Sequence, residues 1–247
     1  MNYAIQVERL SKSYGKLLAV NNLSFCVERG TVFGLLGANG AGKSTSIECI
    51  LGTKKLDSGN VRILGCNPRT ERKRLFERVG VQFQEANYQE KITVNELCEV
   101  TASLYQSVSS YQDLLKRFGI AEKGKHMVKE LSGGQRQRLF IVLALIPNPE
   151  VVFLDELTTG LDPHARREVW SLLSELNNRG LTVLLTSHFM DEVEALCSRI
   201  CILNRGKSVF LGTVEEAIAA SPYDRFEDAY LWFTEGETEN ETILHNA

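Results

Sequence analysis

The chain has 247 residues, 43% of them hydrophobic, enough for one large domain or a domain with a subdomain. Its net charge of -3 argues against any global attraction to nucleic acid or to an anionic membrane surface. The six cysteines (Cys26, Cys49, Cys66, Cys98, Cys197, Cys201) are scattered, and neither a histidine nor a second pair joins Cys197 and Cys201 to complete a metal site, so they read as reduced thiols.

The opening "MNYAIQVERL" lacks the basic and apolar regions of a signal peptide. "AIQVERL", "LSFCVERG" and "GTVFGLLG" read as strands, and a helix is predicted from Lys43 to about Leu51. "GNVRILG" and "RVGVQFQ" read as further strands. From Thr93 to Phe118 the pattern turns helical, with Val94, Leu97, Val100, Ala102 and Leu104 at helix-like spacings. A further helix is expected from about Gly133 to Ile146. Its apolar run "LFIVLALIP" is too short to span a bilayer and reads as buried. "VVFLDE", "LTVLLTSH", "RICILNRG" and "KSVFLG" read as strands, with helices at 163–178 and 189–198 between the earlier ones. Alternating strand and helix over 151–204 predicts a parallel sheet with right-handed crossovers. The helical block at 86–146 interrupts that pattern and is expected to be a separate lobe.

Two stretches carry phosphate chemistry. "GANGAGKS", Gly37–Ser44, fits the P-loop pattern in full and sits between an apolar strand and a helix, the context that confirms it. Gly37, Gly40 and Gly42 allow positive φ, so that backbone N–H groups can approach phosphates. Lys43 is placed to reach the β and γ phosphates, and Ser44 to ligate Mg. "VVFLDE" ends a buried strand with two acids: Asp155 is placed to hold Mg through water, and Glu156 to polarise a water at the γ side. "LSGGQRQRLF" is a second anion cradle, because a Ser-Gly-Gly turn opens a helix whose first N–H groups lack partners. Ser132 also suits an N-cap, a role compatible with binding phosphate.

With "GANGAGKS", "LSGGQRQRL" and "VVFLDE" in this order, the chain resembles the nucleotide-binding subunits of ABC transporters from about Tyr3 to Gly212. The resemblance implies an α/β fold: a P-loop NTPase core with a mixed sheet, antiparallel N-terminal strands plus a parallel core, and an inserted α-helical subdomain. It implies a nucleotide-binding core at 1–85 and 147–212, a helical subdomain with the signature at 86–146, and C-terminal helices with a polar tail at 213–247. ATP would lie against Tyr14, which stacks on adenine, and against Gly37, Ala38, Asn39, Gly40, Ala41, Gly42, Lys43, Ser44 and Thr45. Gln84 would touch Mg and the attacking water, with Gln82 as a competitor. Mg would be held by Ser44, Gln84 and Asp155. Glu156 would act as general base, and His188 would reach the γ-phosphate, while His126, His164 and His245 match nothing. In this family two cassettes pair head to tail. Ser132, Gly133, Gly134, Gln135 and Asp162 would then face the nucleotide or surface of the other chain, a second copy or a homologous cassette.

The family usually has proline after the catalytic glutamate, whereas this chain has Leu157, which relaxes a constraint on φ without removing a catalytic group. "ELTTGLD" and the late "FEDAYLWFT" resemble the drug and antibiotic export branch. The implied function is an ATPase powering transport, with export favoured, through a separately encoded integral membrane permease. It would be cytoplasmic, at the inner face of the membrane, with no nucleic-acid partner. The alternative is a soluble ABC ATPase of translation or DNA repair, which would typically carry two cassettes, a long insertion or an iron–sulfur domain. A non-catalytic regulatory cassette would be expected to lack some of Lys43, Asp155, Glu156 and His188. The loop at 86–92, with Tyr88 and Ile92, is expected to be free of packing duties, and a short helix of the membrane partner is expected to dock near Asn87–Thr93.

Overall fold

The structure, a computed structural model, describes residues 3–82 and 88–235. In chain order the elements are β1 (Tyr3–Tyr14), β2 (Leu17–Glu28), β3 (Val32–Gly37), α1 (Lys43–Ile50), β4 (Ser58–Ile63), α2 (Arg72–Phe76), β5 (Val79–Gln82) and α3 (Val94–Ser103). There follow α4 (Tyr111–Arg117), α5 (Gly133–Leu145), β6 (Val151–Leu154), α6 (Pro163–Asn178), β7 (Thr182–Thr186) and α7 (Met190–Leu196). The last elements are β8 (Arg199–Asn204), β9 (Lys207–Gly212), α8 (Val214–Ala219) and α9 (Phe226–Glu235). The chain divides into two compact units. One comprises the segments up to Glu28, Val32–Thr70 and from Thr186 onward; the other comprises Arg29–Thr31 and Glu71–Leu185.

In the first unit β1 pairs antiparallel with both β2 and β4. Alternation buries Ile5 and Val7 of β1 against Phe25 and Val27 of β2 on one face. Arg9 and Asn22 adopt positive φ where the register slips between Val7 and Leu10. A tight hairpin through Gly15, at φ 58°, leaves Tyr14 at its tip. β3 is buried along its whole length and pairs in parallel with β8, which pairs antiparallel with β9. Leu36, Val193, Ile200, Ile202, Val214 and Phe226 form a core that α7, α8 and α9 cover.

In the second unit β5, β6 and β7 are parallel, as the alternating pattern predicts. α5 packs on β5 so closely that a Cβ on Gly80 would stand 1.9 Å from the Ala144 carbonyl oxygen; no other residue fits there. α6 starts at the predicted Pro163, with Asp162 as N-cap and proline in the first turn, and buries the stripe Ala165, Val169 and Leu173. Arg29 and Arg78 both donate to Glu150, Arg29 at 2.7 Å.

Two sequence expectations change, and one helix is added. The helical stretch at 93–118 is two helices, each with its own cap: Thr93 and Glu96 form a capping box for α3, and Ser110 caps α4. Val94 and Cys98 face inward, whereas Val100 and Leu104 lie on the far side at 53% and 71% exposure. The five-residue α2 has too little periodicity to show in sequence. The loop ahead of α3 does carry packing. The Tyr88 ring lies 6.2 Å from Phe140, and the Ile92 carbonyl accepts from the Val128 N–H.

The Arg78 hydrogen bond, with Arg29 beside it, holds the Glu150 carboxyl below the usual glutamate range. A depressed carboxylate contributes stability above its unfolded value and loses it as pH falls through its folded value. Glu150→Gln should therefore lower Tm near neutrality, and the gap to wild type should close as acid protonates Glu150. Thermal melts of both proteins from neutral to acidic pH read this directly.

Candidate functional site

The P-loop takes the conformation that its glycines permit. Gly37, Gly40 and Gly42 have φ of 150°, 80° and 103°. A Cβ on Gly42 would stand 2.4 Å from the Ala19 carbonyl oxygen, so both backbone angle and space demand glycine there. Ala41 N–H donates to Ala38 O at 3.0 Å, and Gly206 N–H donates to Ala41 O at 3.0 Å, which ties the loop to the β8–β9 turn. Ala38, Asn39, Gly40 and Ser44 are exposed, while Ala41 is buried and Thr45 half-buried. Lys43 is buried, and its Nζ donates to Gly37 O at 2.7 Å and Ala38 O at 3.1 Å, which keeps the ammonium against the loop.

Tyr14 is 43% exposed. Lys12 Nζ and Lys54 Nζ stand 5.4 and 5.5 Å from its ring centre, a cationic flank for a planar face. Both lysines are also paired, Lys12 with Asp57 and Lys54 with Glu48. His188 is exposed just past the carboxyl end of β7, and its ring lies 4.1 Å from that of Phe189. These groups all belong to the first unit.

The second unit holds the acids and the signature turn. Asp155 is buried at the carboxyl end of β6, and its N–H donates to Gln82 O at 3.1 Å. Glu156 is half-buried, with φ at 52°, a left-handed value that non-glycine residues seldom adopt. Its carbonyl accepts from Thr159 N–H at 3.2 Å, and its carboxylate from Thr159 Oγ1 at 3.4 Å. Leu157, the departure from the family pattern, is fully buried.

Ser132 forms a complete capping box with Gln135. Its Oγ accepts from Gln135 N–H at 3.2 Å, and its own N–H donates to Gln135 Oε1 at 3.1 Å. The Gln135 side-chain oxygen is thus engaged locally. Ser132 and Gly133 are exposed, and Gly134 lies close under Leu161. Asp162 accepts from His164 and Ala165 N–H groups, both at 3.0 Å, and the Ala165 bond leads in holding its carboxyl below the usual range. Gln84 and Asn87 lie outside the described residues, whereas Gln82 is buried at the end of β5. The residue that sequence reasoning missed is Gln137, whose Nε2 donates to Glu156 O at 3.2 Å and to Leu157 O at 2.7 Å. Only its place in a Gln- and Arg-rich helix start hinted at a polar duty.

All six cysteines are free. Burial pushes the Cys98 thiol up to about 12 and the Cys201 thiol up to about 11. Among the described residues no cluster of His, Cys, Asp or Glu could hold a metal by itself, and no helix is long and apolar enough to cross a membrane.

The family model described as ABC transporter matches residues 20–159. Nod factor export ATP-binding protein I of Paraburkholderia xenovorans (strain LB400) is 40% identical over 223 residues, covering 88% of this chain and 73% of that one. Linearmycin resistance ATP-binding protein LnrL of Bacillus subtilis (strain 168) is 36% identical over 214 residues, covering 85% and 69%. Among solved structures, a dimeric ATP-binding cassette in a post-hydrolysis state with ADP and Pi superposes with a TM-score of 0.77 at 25% identity, covering 85% of this chain and 98% of that one. The cassette cbiO1 of Clostridium perfringens, part of the transporter complex cbiONQ, gives 0.78 at 25%, covering 98% and 99%.

Gly42→Ala should abolish nucleotide binding and lower Tm more than Gly15→Ala. Gly15 shares a positive φ of 58° but has open space around its Cβ direction. Melts and ATP titrations of the two variants separate steric clash from backbone strain.

Proposed function

This chain belongs to the ABC transporter family of ATP-binding proteins, and we propose that it is the ATPase subunit that powers export of a substrate through a separately encoded membrane permease. The observation that carries the reading is the second anion cradle. The start of α5, with Ser132 and Gly133 exposed, adds a phosphate-binding helix end to a chain that already has one in its P-loop. A cassette that acted alone would need only the first. Two copies arranged head to tail would use both, each signature turn closing on the nucleotide held by the other chain, with Asp162 at the contact. The printed names of the relatives, Nod factor export and linearmycin resistance, support export as the direction. Placement at the inner face of the membrane follows from that partnership, and residues 86–146 serve as the helical subdomain that carries the signature.

Tyr14 stacks on adenine. The P-loop N–H groups from Ala38 to Thr45, with Lys43, hold the phosphates. Ser44, Asp155 and Gln84 carry the hard oxygen donors that would hold Mg. When bound, Mg supplies positive charge against the β and γ phosphates. Glu156 takes a proton from water as the water oxygen bonds to the γ-phosphorus and the bond to ADP breaks, giving ADP and inorganic phosphate. His188 orients the γ-phosphate.

Glu156→Gln should retain ATP binding and slow hydrolysis by about 10²–10⁴-fold, the range for loss of a general base. Near-normal turnover would remove Glu156 from that role. In a second experiment Lys43→Ala chains are mixed with Ser132→Arg chains. A head-to-tail mixed dimer gathers both defects in one composite site and leaves the other intact, so ATPase activity should partly recover. Proven mixed dimers without recovery would count against shared, independently working sites.

A further inference from the structure

Glu156 holds a left-handed φ of 52° although it is not a glycine, and leucine rather than proline follows it. Such a conformation is disfavoured for a non-glycine residue and persists only where the surroundings impose it. Leu157, following it, leaves φ at its own position unfixed, where proline would lock it. One restraint comes from α5. The side-chain amide of Gln137 donates to two successive carbonyls, Glu156 O at 3.2 Å and Leu157 O at 2.7 Å. Two bonds from one amide to adjacent peptide units fix the orientation of both peptide planes. These planes flank Leu157, and the first of them, between Glu156 and Leu157, is also one of the two that set the direction in which the Cα–Cβ bond of Glu156 leaves the backbone. The neighbouring Thr159 N–H also bonds Glu156 O, closing the loop from the other side. Gln137 is half-buried on a helix whose apolar face, Leu139 to Leu145, is packed in the interior, so its anchor is rigid.

We propose that Gln137 is a positioning residue for hydrolysis: by pinning the Glu156 and Leu157 carbonyls it sets the aim of the Glu156 carboxylate. The proposal rests on Glu156 being the general base and adds a residue that touches neither nucleotide nor water. Its effect is expected on the chemical step, because it acts on the backbone that carries Glu156.

The test is a double-mutant cycle on the full chain, with ATP as the probe. Gln137→Met keeps the shape and removes both donors. It should lower kcat by about 10- to 100-fold, the scale of a misaimed catalytic group, with KM for ATP nearly unchanged. Gln137→Glu keeps the length but sets a carboxylate against two carbonyl oxygens, and should fall further. In the Glu156→Gln background, Gln137→Met should cost nothing more, since there is no base left to aim. Three results overturn the proposal: kcat of both variants within about two-fold of wild type; a loss in the double variant that multiplies the two single losses; or kcat losses that merely track losses in Tm across Met and Glu. Near-normal turnover of Glu156→Gln would instead remove the general-base reading itself, and that result is read independently of any Gln137 variant.

Discussion

The N–H groups of a helix's first turn have no intrahelical acceptor, and what faces them decides whether a helix start can hold phosphate. α1 and α5 begin with no acidic side chain at the N-cap or in the first turn, whereas α2 and α6 have Glu71 and Asp162 at the N-cap and α3, α4, α7, α8 and α9 each carry an acid in the first turn. A carboxylate there would neutralise the positive end of the helix dipole and repel phosphate. The stabilisation that such an acid would bring has to come from elsewhere. In α1 it comes from buried Ile47, Cys49 and Ile50, and in α5 from the Ser132–Gln135 box and the apolar stretch beyond it.

The segment from Asp155 to Asp162 is anchored along its length within the second unit. At its start, Asp155 N–H bonds the carbonyl of Gln82 on the neighbouring strand. Near its middle, Gln137 and Thr159 N–H hold the carbonyls of Glu156 and Leu157. At its end, Asp162 caps α6 through two N–H groups. Buried Leu157, Thr158 and Leu161 anchor it between those points. A loop with so many fixed points can keep one residue in a sparsely populated conformation without passing the strain along the chain.

The motifs were legible because each places several residue types at a spacing that few other structures need. "GANGAGKS" predicts three positive φ values, and all three are present. The start of α6 was equally clear, since Asp162 and Pro163 are local signals that act through the backbone. What stayed hidden depends on distant partners. The left-handed φ of Glu156 is not announced by its residue type, because glutamate does not favour it, and one of its restraints, Gln137, reaches it from another helix. The break between α3 and α4 was masked by Val100 and Leu104, whose apolar side chains suggested a continuous buried face although both are exposed. The local signal for the break is Ser110, whose side chain caps α4.

The thiols have a practical consequence. Cys49, Cys66, Cys98 and Cys201 are buried, and burial holds the Cys98 and Cys201 thiols well above neutrality, so little thiolate is present there. Since the thiolate is the nucleophile, these native cysteines are poor targets for alkylating dyes. A single cysteine introduced at the exposed Lys16, on the hairpin beside Tyr14, would stand out kinetically against that quiet background. Fluorescent reporters of nucleotide occupancy could thus be attached to this chain with most of its native thiols left in place.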